Sequence, residues 1–168
     1  MWLVSIIAIL ILILSFFGGI REGVVKHFFN LVALIIAVPL AGISYRLIAR
    51  VLSFLPGENW ENFIGFFIAL ALISVILHFV FFLPRRIGQK IWRRGFLFRL
   101  LGGVLNTINA GIGMVVFTLV LLAYPIFDWL ARWVAGSGVL ASLLNIFGFV
   151  QAMLPEVLQN AGMMVNAI

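Results

Sequence analysis

With 168 residues, 65% of them hydrophobic and only 10% charged, and a mean hydropathy of +1.27, the chain lacks the polar surface of a water-soluble domain, which carries about 25% charged residues. The absence of cysteine excludes disulfides and thiolate chemistry, and two histidines with five acids leave few metal-ligand sets. A net charge of +6 and a pI of 11.2 suit nucleic acid or an anionic lipid surface, so the placement of the eleven basic residues has to decide.

A spanning helix needs about 20 mostly apolar residues, because the hydrocarbon core is about 30 Å thick and each residue rises about 1.5 Å. Backbone groups in lipid must pair internally, so long apolar runs predict helices. The first run, 2–20, carries no charge. It lacks a basic leading region and a following A-x-A site, and is expected to be a retained span rather than a cleaved signal. GGIREG (18–23) then sets Arg21 and Glu22 between apolar stretches. At mid-membrane each charge would cost roughly 2.5–3.5 kcal/mol on insertion scales, so the pair is expected at the tip of a tight hairpin. Gly18, Gly19 and Gly23 are expected to let the backbone turn there.

The second span, 24–45, has Lys26 and His27 near its start and Pro39 inside, where the lost backbone bond predicts a kink. SFLPGENWEN (53–62) predicts a turn-rich loop, with Glu58 and Glu61 as a turn cap or solvated pair. The third span, 62–83, is uncharged apart from His78. LPRRIGQKIWRRGFLFR (83–99) holds six basic residues: Arg85, Arg86, Lys90, Arg93, Arg94 and Arg99. In helical register Ile87 and Ile91 share a face while Arg86, Lys90 and Arg93 share another, the pattern of a basic helix at a lipid surface. The fourth span is 100–124. Residues 1–124 are thus expected to form a four-span region and 125–168 an amphipathic helical tail.

In that tail, DWLARW (128–133) sets Asp128 and Arg132 at i and i+4 beside two tryptophans, as in a helix at the membrane boundary. VLASLLNIFGFVQAML (139–154) is apolar enough for a fifth span, but Ser142, Asn145, Gly148 and Ala152 fall on one helical stripe. An amphipathic or re-entrant helix is therefore preferred. The fold class expected is an all-α integral membrane protein with four transmembrane helices and a C-terminal amphipathic, interfacial tail.

Basic residues favour the cytoplasmic side. Six lie in the third connector, so it is expected inside; the first connector, with Arg21 and Lys26, must then share that side. Arg46, Arg50 and Arg132 fall outside, with both termini. The basic connector is a candidate for docking anionic lipid or a partner. Nucleic-acid binding would require a folded basic module with stacking residues, and none is recognisable.

Polar residues within spans are the other candidates. Asn106 and Asn109, three apart with Thr107 between them, serve either as interhelical hydrogen-bonding glue or as the lining of a polar path. His78 is either a neutral histidine bonded to a neighbouring helix or one member of a proton relay. Gly103, Thr107 and Gly111 form one small-residue ladder and Gly65 with Ala69 another, joining helices within one chain or between protomers. No catalytic spacing is visible, so neither an enzyme nor a cofactor is expected.

GGIREGVVKHFFNLV (18–32) resembles the signature of the colicin V production (CvpA) family, with Gly19, Arg21, Gly23 and Lys26 at matching positions. FRLLGGVLNTINAG (98–111) is similar to the segment entering that family's fourth helix through Arg99 and Gly102, and Ser137 to Pro155 resembles its helical tail. The chain departs from the pattern at Phe98, where an acid is usual, at Leu105 and Asn106 for Phe-Gly, at Asn109 and Ala110 for Arg-Gly, and at His27, where an acid is common. The resemblance implies a bacterial inner-membrane protein associated with producing or exporting a peptide toxin, a non-catalytic accessory or scaffold. A small oligomeric channel or transporter is the alternative, and a second copy or another membrane protein is the expected kind of partner.

Overall fold

The computed structural model describes residues 2–54, 57–91 and 95–166. Four helices are long and apolar enough to cross a membrane: α1 (Trp2–Glu22), α2 (Val24–Val51), α3 (Glu58–Val80) and, after the short α4 (Phe82–Ile91), α5 (Phe96–Ala123). A tail of short helices follows, α6 (Asp128–Ala135), α7 (Gly138–Ile146), α8 (Gly148–Ala152) and α9 (Glu156–Asn166). The chain is all-α, as its apolar runs require of backbone in lipid.

Several boundaries differ from the sequence reading. Only Gly23 turns the chain between α1 and α2, with φ +85° and ψ 163°, a backbone region open essentially to glycine. Gly18 and Gly19 remain helical, and the Gly23 amide donates to the Gly19 carbonyl at 3.0 Å. Helix α2 runs six residues past Tyr45, with Pro39 inside one continuous helix. The loop before α3 is shorter than expected, because Gly57 (φ +99°) starts the helix at Glu58, and Glu58 and Glu61 then complement its N-terminal dipole. Leu55 and Pro56 of that loop lie outside the described residues. Helix α3 stops at Val80, short of the expected Leu83, and Phe82 opens the basic helix α4.

Helix α5 is the centre of the bundle. It packs between α1 and α2, which scarcely touch each other despite their shared hairpin, and α3 packs on the far side of α2. Ten residues of α5 are buried against two of α1, and from Gly111 onward they face every direction. The tail explains this. Leu140, Leu143, Leu144, Val150, Leu154 and Leu158 join Val115, Val116, Leu119 and Val120 in one core. Ser142, Asn145, Gly148 and Ala152 are exposed, so the polar stripe faces away from α5. The longest tail helix has 11 residues, too few to cross the hydrocarbon, so 139–154 is no fifth span.

The tail is tied down at both faces of the bundle. Ser137 Oγ caps α7 by accepting from the Leu140 amide and lies 2.9 Å from Ser5 Oγ of α1. A Cβ on Gly42 would stand 2.7 Å from the Pro155 ring, and one on Gly111 would stand 2.7 Å from Phe147. At the same end the two tyrosines of the chain, Tyr45 and Tyr124, share a buried hydroxyl–hydroxyl bond of 2.6 Å. Trp60, Phe127, Trp129 and Trp133 form an aromatic run there, suited to a membrane boundary. Arg132 donates to the main-chain carbonyl of Asp128 rather than forming the expected ion pair with its carboxylate.

Candidate functional site

The opposite, basic end brings together most of the residues singled out in the sequence. Its frame is a glycine contact. Gly19 of α1 is buried against Gly102, Gly103 and Asn106 of α5, where any side chain would collide with the Gly102 carbonyl. Gly102 in turn lies against Gly19 and Gly23, and Gly103 against the Phe16 carbonyl. The Thr107 hydroxyl donates back to the Gly103 carbonyl at 3.0 Å. Gly65 seats α3 on Ala49 of α2. Both small-residue ladders are thus used inside the chain, where they let main chains approach closely.

Above this contact, at the hairpin, Lys26 pairs with Glu22 one helical turn away in sequence. His27, only 2% exposed, has Nε2 3.1 Å from Glu22 Oε2 but off the hydrogen-bonding direction. Neither of its ring nitrogens has a hydrogen-bond partner among the described residues. Arg21 is exposed.

Below it, Asn106 donates to the Ser15 carbonyl of α1 at 2.6 Å, and Asn109 donates to the His27 carbonyl of α2 at 3.1 Å. The two amides therefore bind α5 to both helices of the hairpin. The same asparagines line a cavity of about 290 Å³ that runs over α2 between α3 and α5. Its other walls are Phe29, Asn30, Ala33 and Leu34 of α2, Ser74 and His78 of α3, Phe81, and Arg85 of α4. His78 stands exposed at its edge, with its ring against Phe79.

The basic residues divide between cavity and surface. Arg85 is half-buried in the cavity wall, Arg86 is exposed with its guanidinium 4.3 Å from the centre of the Phe82 ring, and Arg99 is exposed in the first turn of α5. Helix α4 lies on α2 with Gly88 against Val25 and Phe29. The Lys90 side chain, and Arg93 and Arg94, lie outside the described residues. Asn30, Ser74 and the Glu22–His27 approach were not singled out from sequence. His27 and Asn30, three apart near the start of an apolar helix, were the available signal.

The cavity is lined by hydrogen-bonding side chains and one cation, with no acid among its described lining residues. No cluster of three or more potential metal ligands occurs among the described residues. Four helices of spanning length around one apolar core, with most of the basic residues at one end and Arg46, Arg50 and Arg132 at the other, define a multi-pass membrane protein. The chain belongs to the family described as colicin V production protein, whose family model matches residues 4–155. That makes it a bacterial inner-membrane protein. The match covers both halves of the glycine contact: Gly19 and Gly23 in the first motif, Gly102 in the second. No curated protein and no solved structure matches the chain.

Proposed function

We propose that this protein is a non-catalytic accessory or scaffold serving toxin production or export and related envelope processes, with its basic end docked on the cytoplasmic leaflet. The observation that carries this reading is the use of the span-borne polar side chains. Asn106 and Asn109, the residues that would line a permeation path, each donate an amide N–H to a main-chain carbonyl, Ser15 and His27 respectively, holding three helices together. The exposed cations Arg21, Arg86 and Arg99, with Lys26 and Arg85 nearby, form the surface for anionic lipid or a membrane-protein partner. Positive charge marks the cytoplasmic side. Both termini then lie outside, where Ser5 meets Ser137.

The second reading, a small oligomeric channel or transporter, draws on the 290 Å³ cavity and its polar lining. Ion and small-solute flux through liposomes carrying the purified protein separates the two. The accessory reading expects no flux with insertion confirmed. Flux that disappears in an equally well-inserted Asn106→Leu/Asn109→Leu variant would instead establish a polar path.

A further inference from the structure

The cavity between α2, α3 and α5 presents polar groups at a depth where acyl chains would otherwise touch them. We infer that it holds the phosphate headgroup of one anionic phospholipid, drawn in sideways from the leaflet and gripped by Arg85. This rests on the reading of the basic end as a lipid-docking surface and assigns one built site within it.

Asn30, Ser74 and His78 line the cavity, and none makes a side-chain hydrogen bond to another described residue. Polar side chains left against hydrocarbon without partners are costly, so the cavity favours a polar occupant over an acyl chain. The sign of that occupant follows from Arg85. It is the one cation among the described lining residues, and no described carboxylate lies within ion-pair distance of it; Glu22, at the hairpin, feels its charge but is paired with Lys26. A guanidinium fork matches a phosphate in both charge and geometry.

Depth selects a headgroup still attached to its chains. Gly102 sits level with the hairpin turn at Gly23. Asn106 and Asn109 follow on the same helix, about 6 and 10 Å deeper at about 1.5 Å per residue. The headgroup layer outside the hydrocarbon is about 5–7 Å thick on each side. The polar part of the cavity, down to Asn30 and Asn109, therefore begins at headgroup level and ends a few ångströms into the hydrocarbon, within reach of a phosphate drawn slightly inward, while Ala33 and Leu34, 10 and 11 residues past Gly23, carry its apolar wall to about 15–17 Å. Phe29, Ala33 and Leu34 of α2 give it an apolar wall for the lipid's glycerol and upper chains. At about 290 Å³ it is sized for a headgroup rather than a whole lipid.

The test uses the full chain in nanodiscs of mixed phosphatidylglycerol and phosphatidylcholine, with retained lipid scored by native mass spectrometry. One phosphatidylglycerol should be retained in preference to phosphatidylcholine. Arg85→Gln should lower that retention about tenfold, the loss of a charge-assisted bond, and Arg85→Lys, which keeps the charge but not the fork, should fall between that level and the native one. Ser74→Leu, which fills the cavity without changing charge, should also remove it, whereas Arg86→Gln should not. Unchanged retention in Arg85→Gln overturns the site, as does displacement of the lipid by inorganic phosphate, which would mark a free-phosphate site. A loss in Arg86→Gln equal to that in Arg85→Gln overturns the cavity but leaves the docking surface standing. Equal retention of both lipids removes the two together.

Discussion

Gly19 and Gly102 meet main chain to main chain: a Cβ on Gly102 would stand 2.6 Å from the Gly19 carbonyl oxygen, and a Cβ on Gly19 would strike the carbonyl of Gly102. The two residues lie in separate motifs, at the end of α1 and near the start of α5. Their contact fixes the level at which α5 enters the α1–α2 hairpin, and with it the placement of Asn106 and Asn109 below.

Backbone cannot yield as a flexible side chain can, so Gly102→Ala should destabilise the bundle by about 1–3 kcal/mol. Gly113→Ala in the same helix meets nothing within 4 Å and should be neutral or gain up to about 1 kcal/mol from helix propensity. Thermal unfolding in mild detergent compares them. Equal melting temperatures for the two variants would show that the glycine contact does not govern packing.

The Tyr45–Tyr124 bond should behave as a coupled pair. Tyr45→Phe leaves the Tyr124 hydroxyl without its partner, at about 1–3 kcal/mol, whereas Tyr124→Phe should cost less because the Tyr45 hydroxyl still accepts from Arg46 Nε at 3.3 Å; the double change removes both hydroxyls and should recover part of the Tyr45→Phe loss. Additive losses in a double-mutant cycle would count against a shared bond.

Asn106 and Asn109 should be separable structurally. Each holds a different helix, Asn106 the end of α1 and Asn109 the start of α2, so Leu at either position should cost about 1 kcal/mol. Hydrogen exchange should rise around Ser15 in the first variant and around His27 in the second. Identical exchange maps would contradict the separate attachments.

Topology follows from single cysteines, which report cleanly in a chain without native ones. Gly95→Cys, in the connector between α4 and α5, should resist an impermeant maleimide added to intact cells, and Asn160→Cys on the exposed side of α9 should react. The reverse pattern would invert the orientation.

Much of this architecture is determined by sequence because lipid leaves the backbone few choices. Uncharged runs of about 20 residues must be helices, the first part of the basic connector emerges as α4 while Arg99 falls in α5, and the exposed stripe from Ser142 to Ala152 follows from helical period. The glycine motifs were also legible, although Gly19 proved to be a contact residue and only Gly23 the turn. What tertiary structure alone decided is which faces meet. Apolar faces look alike to lipid and to protein, so hydrophobic pattern could not reveal that α5 separates α1 from α2, or that the tail covers α5 beyond Gly111. Nor could spacing within single helices place Asn30, Ser74, His78 and Arg85 around one cavity with the two asparagines. That convergence depends on the crossing of three helices, and the crossing is set by how closely glycine lets their backbones approach.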